Sequence, residues 1–501
     1  MSKKININDW RYKANTLPPP EPNLDKELDA FIDSLESDEL YDKNHVDFID
    51  ESILTDDQIT TMNAVIKAMI NGERKIILSG SAGVGKTFLV NYIIRKYHRE
   101  LHRGNKAYIT APTNRAVSVL MDKDPEHPYY MNFSTIHKAL YMKRVINEKN
   151  GEVYFKPDYK PRGEEPFTKG FIIIIDEASM LNSEILFYLE NPDYQDIPMI
   201  FLGDNKQLNP VGEDHSPIFR RPSLEGKKVT IQVGEQMLTQ IIPKYIEFSL
   251  TKIIRQAEDN PIIQLSMDLP RIGNLEPMIH NNMGYIYDSE FERLVKLVAQ
   301  NEDARYLAWT NEAVDTFNLA ARKELFYSPH KLQEGEIVIF SQPYEGDNGT
   351  VYSNGTEIKI RKLEIKEREF IALRDTFLKD EKEPVGIREK LSYYVINDDI
   401  KVIHESSEYD FLHVLNKIKS LTKKGLSWKK WFEFSEQFAR VSYRYATTVH
   451  KAQGGTFDTI VVNMKDLNRN FKSFEKKRLW YTAITRAARL VIFFNEKNFY
   501  K

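Results

Sequence analysis

The segment Gly80-Ser81-Ala82-Gly83-Val84-Gly85-Lys86-Thr87 constrains this chain more than any other. It follows the apolar run Lys75–Ser79 and opens a helical pattern from Phe88 to Tyr97, so its glycines fall between a strand and a helix. Such a turn points consecutive backbone N–H groups at one place, and the helix N-terminus adds its positive dipole there. This is the pattern of a phosphate-binding loop in the setting that the pattern requires. Gly80, Ser81, Ala82, Gly83, Val84 and Gly85 form the cradle, Lys86 reaches the β- and γ-phosphates, and Thr87 offers its hydroxyl to Mg2+. About 90 residues later, Ile172-Ile173-Ile174-Ile175-Asp176-Glu177 reads as a buried strand ending in two acids. Asp176 is placed to hold the magnesium shell and Glu177 to polarise an attacking water. Gln58 precedes Lys86 by 28 residues, on the helix before the first strand. Its amide offers the donor and acceptor that match an adenine edge.

Around this loop the text is α/β. Thr55-Asp56-Asp57-Gln58 has the cap and early acids of a helix start, and apolar strands follow at Ala107–Thr110, Phe171–Ile175 and Met199–Leu202. Strands this apolar suit a parallel sheet covered on both faces. A second set lies near Tyr306–Trp309, Thr459–Val462 and Leu490–Phe494, and residues 334–440 between them read as a small β-barrel module with an aromatic helical end. Residues 1–50 differ, with twelve Asp/Glu against six Lys/Arg and a proline run at Pro18-Pro19-Pro20. They read as an acidic, flexible extension that could recruit a partner.

At 501 residues the chain holds several domains. It has no cysteine, which excludes disulfides, thiol nucleophiles and cysteine-ligated metals. No apolar run approaches the roughly 20 residues of a membrane helix, and the first residues lack a signal peptide's apolar core, so a cytoplasmic location is expected. The net charge of −3 gives no overall basic signal. Any nucleic-acid affinity must be local.

Five further segments narrow the class. They are Ala111-Pro112-Thr113-Asn114-Arg115-Ala116, Ser134-Thr135-Ile136-His137, Gly203-Asp204-Asn205-Lys206-Gln207-Leu208-Asn209-Pro210, Thr448-Val449-His450-Lys451-Ala452-Gln453-Gly454 and Tyr481-Thr482-Ala483-Ile484-Thr485-Arg486-Ala487. In this order they resemble the motif series of superfamily 1 helicases, and within it the 5′→3′ group of RecD-like and Dda-like enzymes. The resemblance implies an α/β fold of two RecA-like parallel-sheet domains with a small β-hairpin insertion and an SH3-like β-barrel insertion. The expected division is 51–228 for the first domain with its insertion at 139–170, 229–333 plus 441–501 for the second, and 334–440 for the barrel.

By the same resemblance ATP and Mg2+ lie between the two domains, Gln207 senses the γ-phosphate, Arg255 and Arg486 are arginine fingers, and Gly454 belongs to the nucleotide site. Single-stranded and forked DNA is the implied partner of a monomeric motor, through Thr113, Asn114, Thr135, Thr310, Asn311, His450 and Lys451. Asn114 stands where the Dda-like pattern has histidine. The stretch Arg144–Lys156 carries Asn150-Gly151, a hairpin signal, and in the family such a hairpin splits the duplex. With Asn150-Gly151 as a two-residue turn, Ile146 faces Phe155 and Asn147 faces Tyr154, so one of the two aromatics meets the fork. Trp428 and Trp431 resemble an aromatic segment laid against this pin. An RNA or 3′→5′ helicase, or a nucleotide-gated DNA-binding module without unwinding, remains an alternative at this point.

Overall fold

The structure is a computed structural model, and it describes residues 51–501 except 102–105, 125–126, 159–170, 253–259, 268–275, 329, 380–382 and 496–501. The acidic extension and Arg255 therefore lie outside the described residues. No helix among those described is long and apolar enough to cross a membrane.

Two six-stranded sheets organise the chain from Glu51 onward. The first runs Ile246–Leu250, Lys75–Gly80, Met199–Gly203, Ile172–Ile175, Ala107–Ala111, Met131–Thr135, with every neighbouring pair parallel. Alternation along each strand divides its side chains between two cores. Ile76, Leu78, Ile109, Ile174 and Leu202 pack on one face, while Ile77, Ile173, Ile175 and Phe201 pack on the other. Burial on both faces is what a near-continuous apolar strand requires. The helix Asp56–Ile70 covers the first face with Met62, Val65, Ile66 and Met69. The second sheet runs Met278–His280, Met283–Asp288, Ala487–Phe494, Phe457–Asn463, Ala304–Ala308, Ala446–Thr448, parallel except for its first pair.

The expected boundary after residue 228 falls too early. Ile246–Leu250 pairs with Lys75–Gly80 at the edge of the first sheet, and Lys228–Val233 with Gln236–Ile241 forms a two-stranded ribbon packed on the first domain's helix Ser183–Leu189. The sequence Ile246-Glu247-Phe248-Ser249-Leu250 alternates polar and apolar residues because it is an edge strand, so it lacks the continuous run that marks the inner strands. Between the halves of the second sheet lie small antiparallel sheets, two cores and two helices, Glu408–Thr422 and Lys429–Ser435.

Met142–Ile146 and Val153–Pro157 pair antiparallel, with a register unlike the expected one. Val145 faces Tyr154 and Arg144 faces Phe155. The reversal is four residues long, closed by the Asn147 N–H on the Glu152 carbonyl and the Gly151 N–H on the Asn147 carbonyl. A two-residue type I′ turn needs positive φ at both central residues, whereas here Gly151 alone has it, at +75°. Trp428 explains the fixed glycine, since a Cβ on Gly151 would lie 2.5 Å from its ring.

Candidate nucleotide and nucleic-acid sites

The phosphate loop closes the strand Lys75–Gly80 and ends where the helix Lys86–Leu101 begins. Gly83 and Gly85 take φ of +81° and +76°, which lets the loop fold back on itself without steric cost. The Lys86 ammonium donates to the Gly80 and Ser81 carbonyls, at 2.6 and 3.0 Å. Thr87 Oγ1 donates to Asp176 Oδ2 at 3.0 Å. A hydroxyl and a carboxylate so placed are a hard-oxygen pair suited to Mg2+. The other Asp176 oxygen accepts the Glu177 N–H at 2.8 Å, and Glu177 sits in the left-handed region at φ 50°. Strand and turn together carry the two acids to one side of the loop.

Arg486 comes from the second domain and meets this pair. Its Nη1 lies 3.9 Å from Glu177 Oε1. The guanidinium is held from its own side by the Thr482 and Gly455 carbonyls and the Thr485 hydroxyl. Burial pushes the Glu177 carboxyl above its usual range; Arg486 pulls it down and Asp176 raises it further. Gln207 is also buried here, and its Oε1 has no hydrogen-bond partner. Because the two ends of an amide are interchangeable by rotation, that unpartnered end can present N–H to a phosphate oxygen. The residues present therefore fit a nucleotide with its metal.

Two residues expected at the nucleotide also make protein contacts. Gln58 is buried, accepting from the Thr55 N–H at 3.0 Å and donating to the Val84 carbonyl at 3.3 Å. It completes a capping box and ties that helix to the phosphate loop. Gly454 lies against the start of the helix Asn114–Lys123, where a Cβ would come within 2.9 Å of Ala116 Cβ. It makes an inter-domain contact.

Three side chains on the helix Ser473–Ile484 were not singled out in the sequence. Arg478 donates to the Gln207 carbonyl, Tyr481 donates to Asp204 and accepts from the Ala82 N–H, and Thr482 accepts from the Leu208 N–H. Their spacing of three and four residues puts them on one helix face. That spacing was legible. Arg115 was missed as well. It stacks over the Phe457 ring at 4.3 Å, pairs with Glu357 at 4.0 Å and packs on Gly455, whose carbonyl holds Arg486.

The residues expected at nucleic acid are not all equivalent. A cavity of about 290 Å³ brings together Thr113, His450 and Lys451 with Arg115, Arg305, Ser442 and Tyr443. Asn114 lines a neighbouring one of about 520 Å³. His450 is driven toward its neutral form by burial, so it offers a hydrogen bond and not a charge. Thr113, Thr135 and Thr310 are all helix N-caps, each accepting a backbone N–H. Thr310 Oγ1 also donates to Asp466 at 2.8 Å, which leaves Asn311, exposed beside it, as the freer group. Helix N-termini here present N–H groups suited to phosphate.

The hairpin is braced on two sides. Ser427 donates to Glu148, the Trp428 N–H donates to the Glu148 carbonyl at 3.0 Å, and Arg144 pairs with Glu436 and covers the Phe432 ring. On the other side Tyr154 packs on Gly234, where a Cβ would be 2.7 Å from its ring. Phe155 is 37% exposed and edge-on to His137. Trp431 joins the insertion's own core, so only Trp428 covers the hairpin.

A family model described as an AAA domain matches residues 61–213, and one described as a UvrD-like helicase C-terminal domain matches 443–494. The chain is 25% identical over 495 residues to an uncharacterized protein of Acanthamoeba polyphaga mimivirus, covering 86% of this chain and 97% of that one. It is 27% identical over 439 residues to the ATP-dependent DNA helicase dda of Enterobacteria phage T4, covering 81% and 91%. Against the RecBCD enzyme subunit RecD of Buchnera aphidicola subsp. Schizaphis graminum the identity is 24%, covering 92% and 78%. Two mainly parallel sheets, one carrying a phosphate loop and Glu177 and the other bringing Arg486 to that glutamate, fit two RecA-like ATPase domains. In its family models and its relatives the chain is similar to superfamily 1 helicases, in the class of Dda and RecD.

Proposed function

We propose that this chain is an ATP-dependent DNA helicase that moves 5′→3′ along single-stranded DNA and separates the duplex ahead of it. The observation that carries the reading is Arg486 of one domain facing Glu177 of the other at 3.9 Å, beside the phosphate loop. A cation arriving across a cleft makes hydrolysis depend on domain closure, and that dependence is what a stepping motor requires. The relationship to dda supports the activity, and the short insertion of the first domain supports the polarity, since 3′→5′ members of the superfamily carry large helical ones.

In this reading ATP lies with its phosphates on Gly80–Thr87, and Thr87 and Asp176 hold Mg2+. The metal, when bound, neutralises charge on the phosphates. Lys86 adds a fixed positive charge, Glu177 orients the attacking water and takes its proton, and Arg486 stabilises the charge that develops on the equatorial oxygens. Thr113, Asn114, Asn311, His450 and Lys451 hold the strand by phosphate and sugar, which is contact without sequence preference. The hairpin is the separation pin, the module at 334–440 is the SH3-like insertion that steadies it, and residues 1–50 serve recruitment of a replication or recombination protein.

The reading is checked by steady-state ATP hydrolysis. Single-stranded DNA should stimulate turnover strongly, blunt duplex and single-stranded RNA weakly, and added salt should erode the stimulation because phosphate contacts release counterions. Turnover indifferent to DNA would overturn it.

A further inference from the structure

Phosphate loops bind anions by aiming backbone N–H groups at oxygen. Here one of those donors already has an oxygen from the other domain. The Ala82 N–H donates to the Tyr481 hydroxyl at 3.0 Å, and that hydroxyl donates its own proton to Asp204. Tyr481 is 1% exposed, so water does not compete for either bond. Burial and the adjacent Asp204 hold the phenol in its protonated form, well above the usual tyrosine range. The oxygen set against Ala82 is therefore neutral.

We propose that Tyr481 is a phosphate-sensing positioning residue, whose hydroxyl occupies the Ala82 N–H until a nucleotide phosphate oxygen replaces it. The inference rests on the nucleotide-cleft reading above. An anionic oxygen forms a hydrogen bond roughly twice as strong as a neutral one, so the exchange runs toward nucleotide. The exchange also has a mechanical consequence. Tyr481 shares its helix face with Arg478 and Thr482, which hold the Gln207 carbonyl and the Leu208 N–H, and Arg486 lies two residues past the helix end. Phosphate arriving at Ala82 removes one of the helix's contacts to the first domain and leaves Tyr481 held there through Asp204, which loosens the helix that carries the arginine as the nucleotide binds. Phosphate binding and finger placement are thereby linked through one hydroxyl.

The test uses the full-length protein with Mg2+ and a non-hydrolysable ATP analogue, titrated calorimetrically without DNA. Tyr481→Phe keeps the ring and removes the competitor. Its affinity should rise about two- to tenfold, the range that one neutral hydrogen bond sets, and KM should fall by the same factor with kcat no higher than before. The double variant Tyr481→Phe/Asp204→Asn, which leaves no unpaired buried carboxylate, should move in the same direction. Unchanged or weaker binding in both variants, with a fall in kcat, would mean that Tyr481 only fastens the helix, and would overturn the proposal. Lys86→Ala in the same titration separates the two readings: if it binds normally the nucleotide site itself is misassigned, whatever Tyr481 does.

Discussion

Replacing Arg486 with alanine is expected to reduce DNA-stimulated kcat by about 10³–10⁵, the range that arginine fingers contribute to phosphoryl transfer. Three contacts to its own domain hold the guanidinium, through Thr482, Gly455 and Thr485, and these leave Nη1 aimed at Glu177. The residue is 6% exposed, so its charge acts where water screens little. Arg486→Lys should recover little of the loss, because an ammonium cannot hold three such acceptors and face a phosphate together. Glu177→Gln should show the complementary defect, with ATP still bound and turnover lost. Its pH profile carries a further mark in the unmodified protein. Burial raises the Glu177 carboxyl, so activity should fall on the acid side at a higher pH than an ordinary glutamate gives, as protonation removes the base. Near-wild-type turnover in either Arg486→Ala or Glu177→Gln would contradict the assigned chemistry.

The second large effect is expected at the hairpin, where unwinding should separate from hydrolysis. Tyr154 and Phe155 point to opposite sides of the ribbon. Tyr154 packs against Gly234 and Phe155 is 37% exposed beside His137, so Phe155 is the ring free to meet a base pair. An aromatic ring replaces lost base stacking with about 1–3 kcal/mol, against about 1.4 kcal/mol for one duplex step. Phe155→Ala should therefore slow unwinding of a 5′-tailed duplex by about tenfold or more and leave ATP hydrolysis on single strands intact. Tyr154→Ala loosens a braced face and should cost less. Full unwinding by both variants would remove the aromatic pin from the account.

The parts of this molecule that were legible in its sequence are those where chemistry fixes the spacing. A loop that curls around phosphate needs glycines at set positions, so Gly83 and Gly85 announced their positive φ. A strand buried on both faces must be apolar throughout, so Ile172–Ile175 pointed to the position of Asp176 and Glu177. What stayed hidden depends on partners distant in the chain. Gln58 reads equally well as a base reader or a cap, and its bond to Val84 is not visible in the sequence. Asn150-Gly151 marked the reversal, but neither the four-residue turn nor the Trp428 ring that lies on Gly151 is visible in the local sequence. Thr310 reads as available for DNA, and its bond to Asp466, far along the chain, is not visible in the sequence. Ile246–Leu250 escaped notice because an edge strand carries an alternating pattern, and its loss shifted the domain boundary.

In the proposed function nucleotide hydrolysis drives directional strand separation. Its most direct measurement compares two forked substrates of identical duplex, one with a 5′ single-stranded tail and one with a 3′ tail, under ATP and Mg2+ in single turnover. Displacement should be rapid from the 5′-tailed substrate, slight from the 3′-tailed one, and absent from both with Lys86→Ala. Preferential displacement from the 3′-tailed substrate, or hydrolysis without displacement from either, would contradict it.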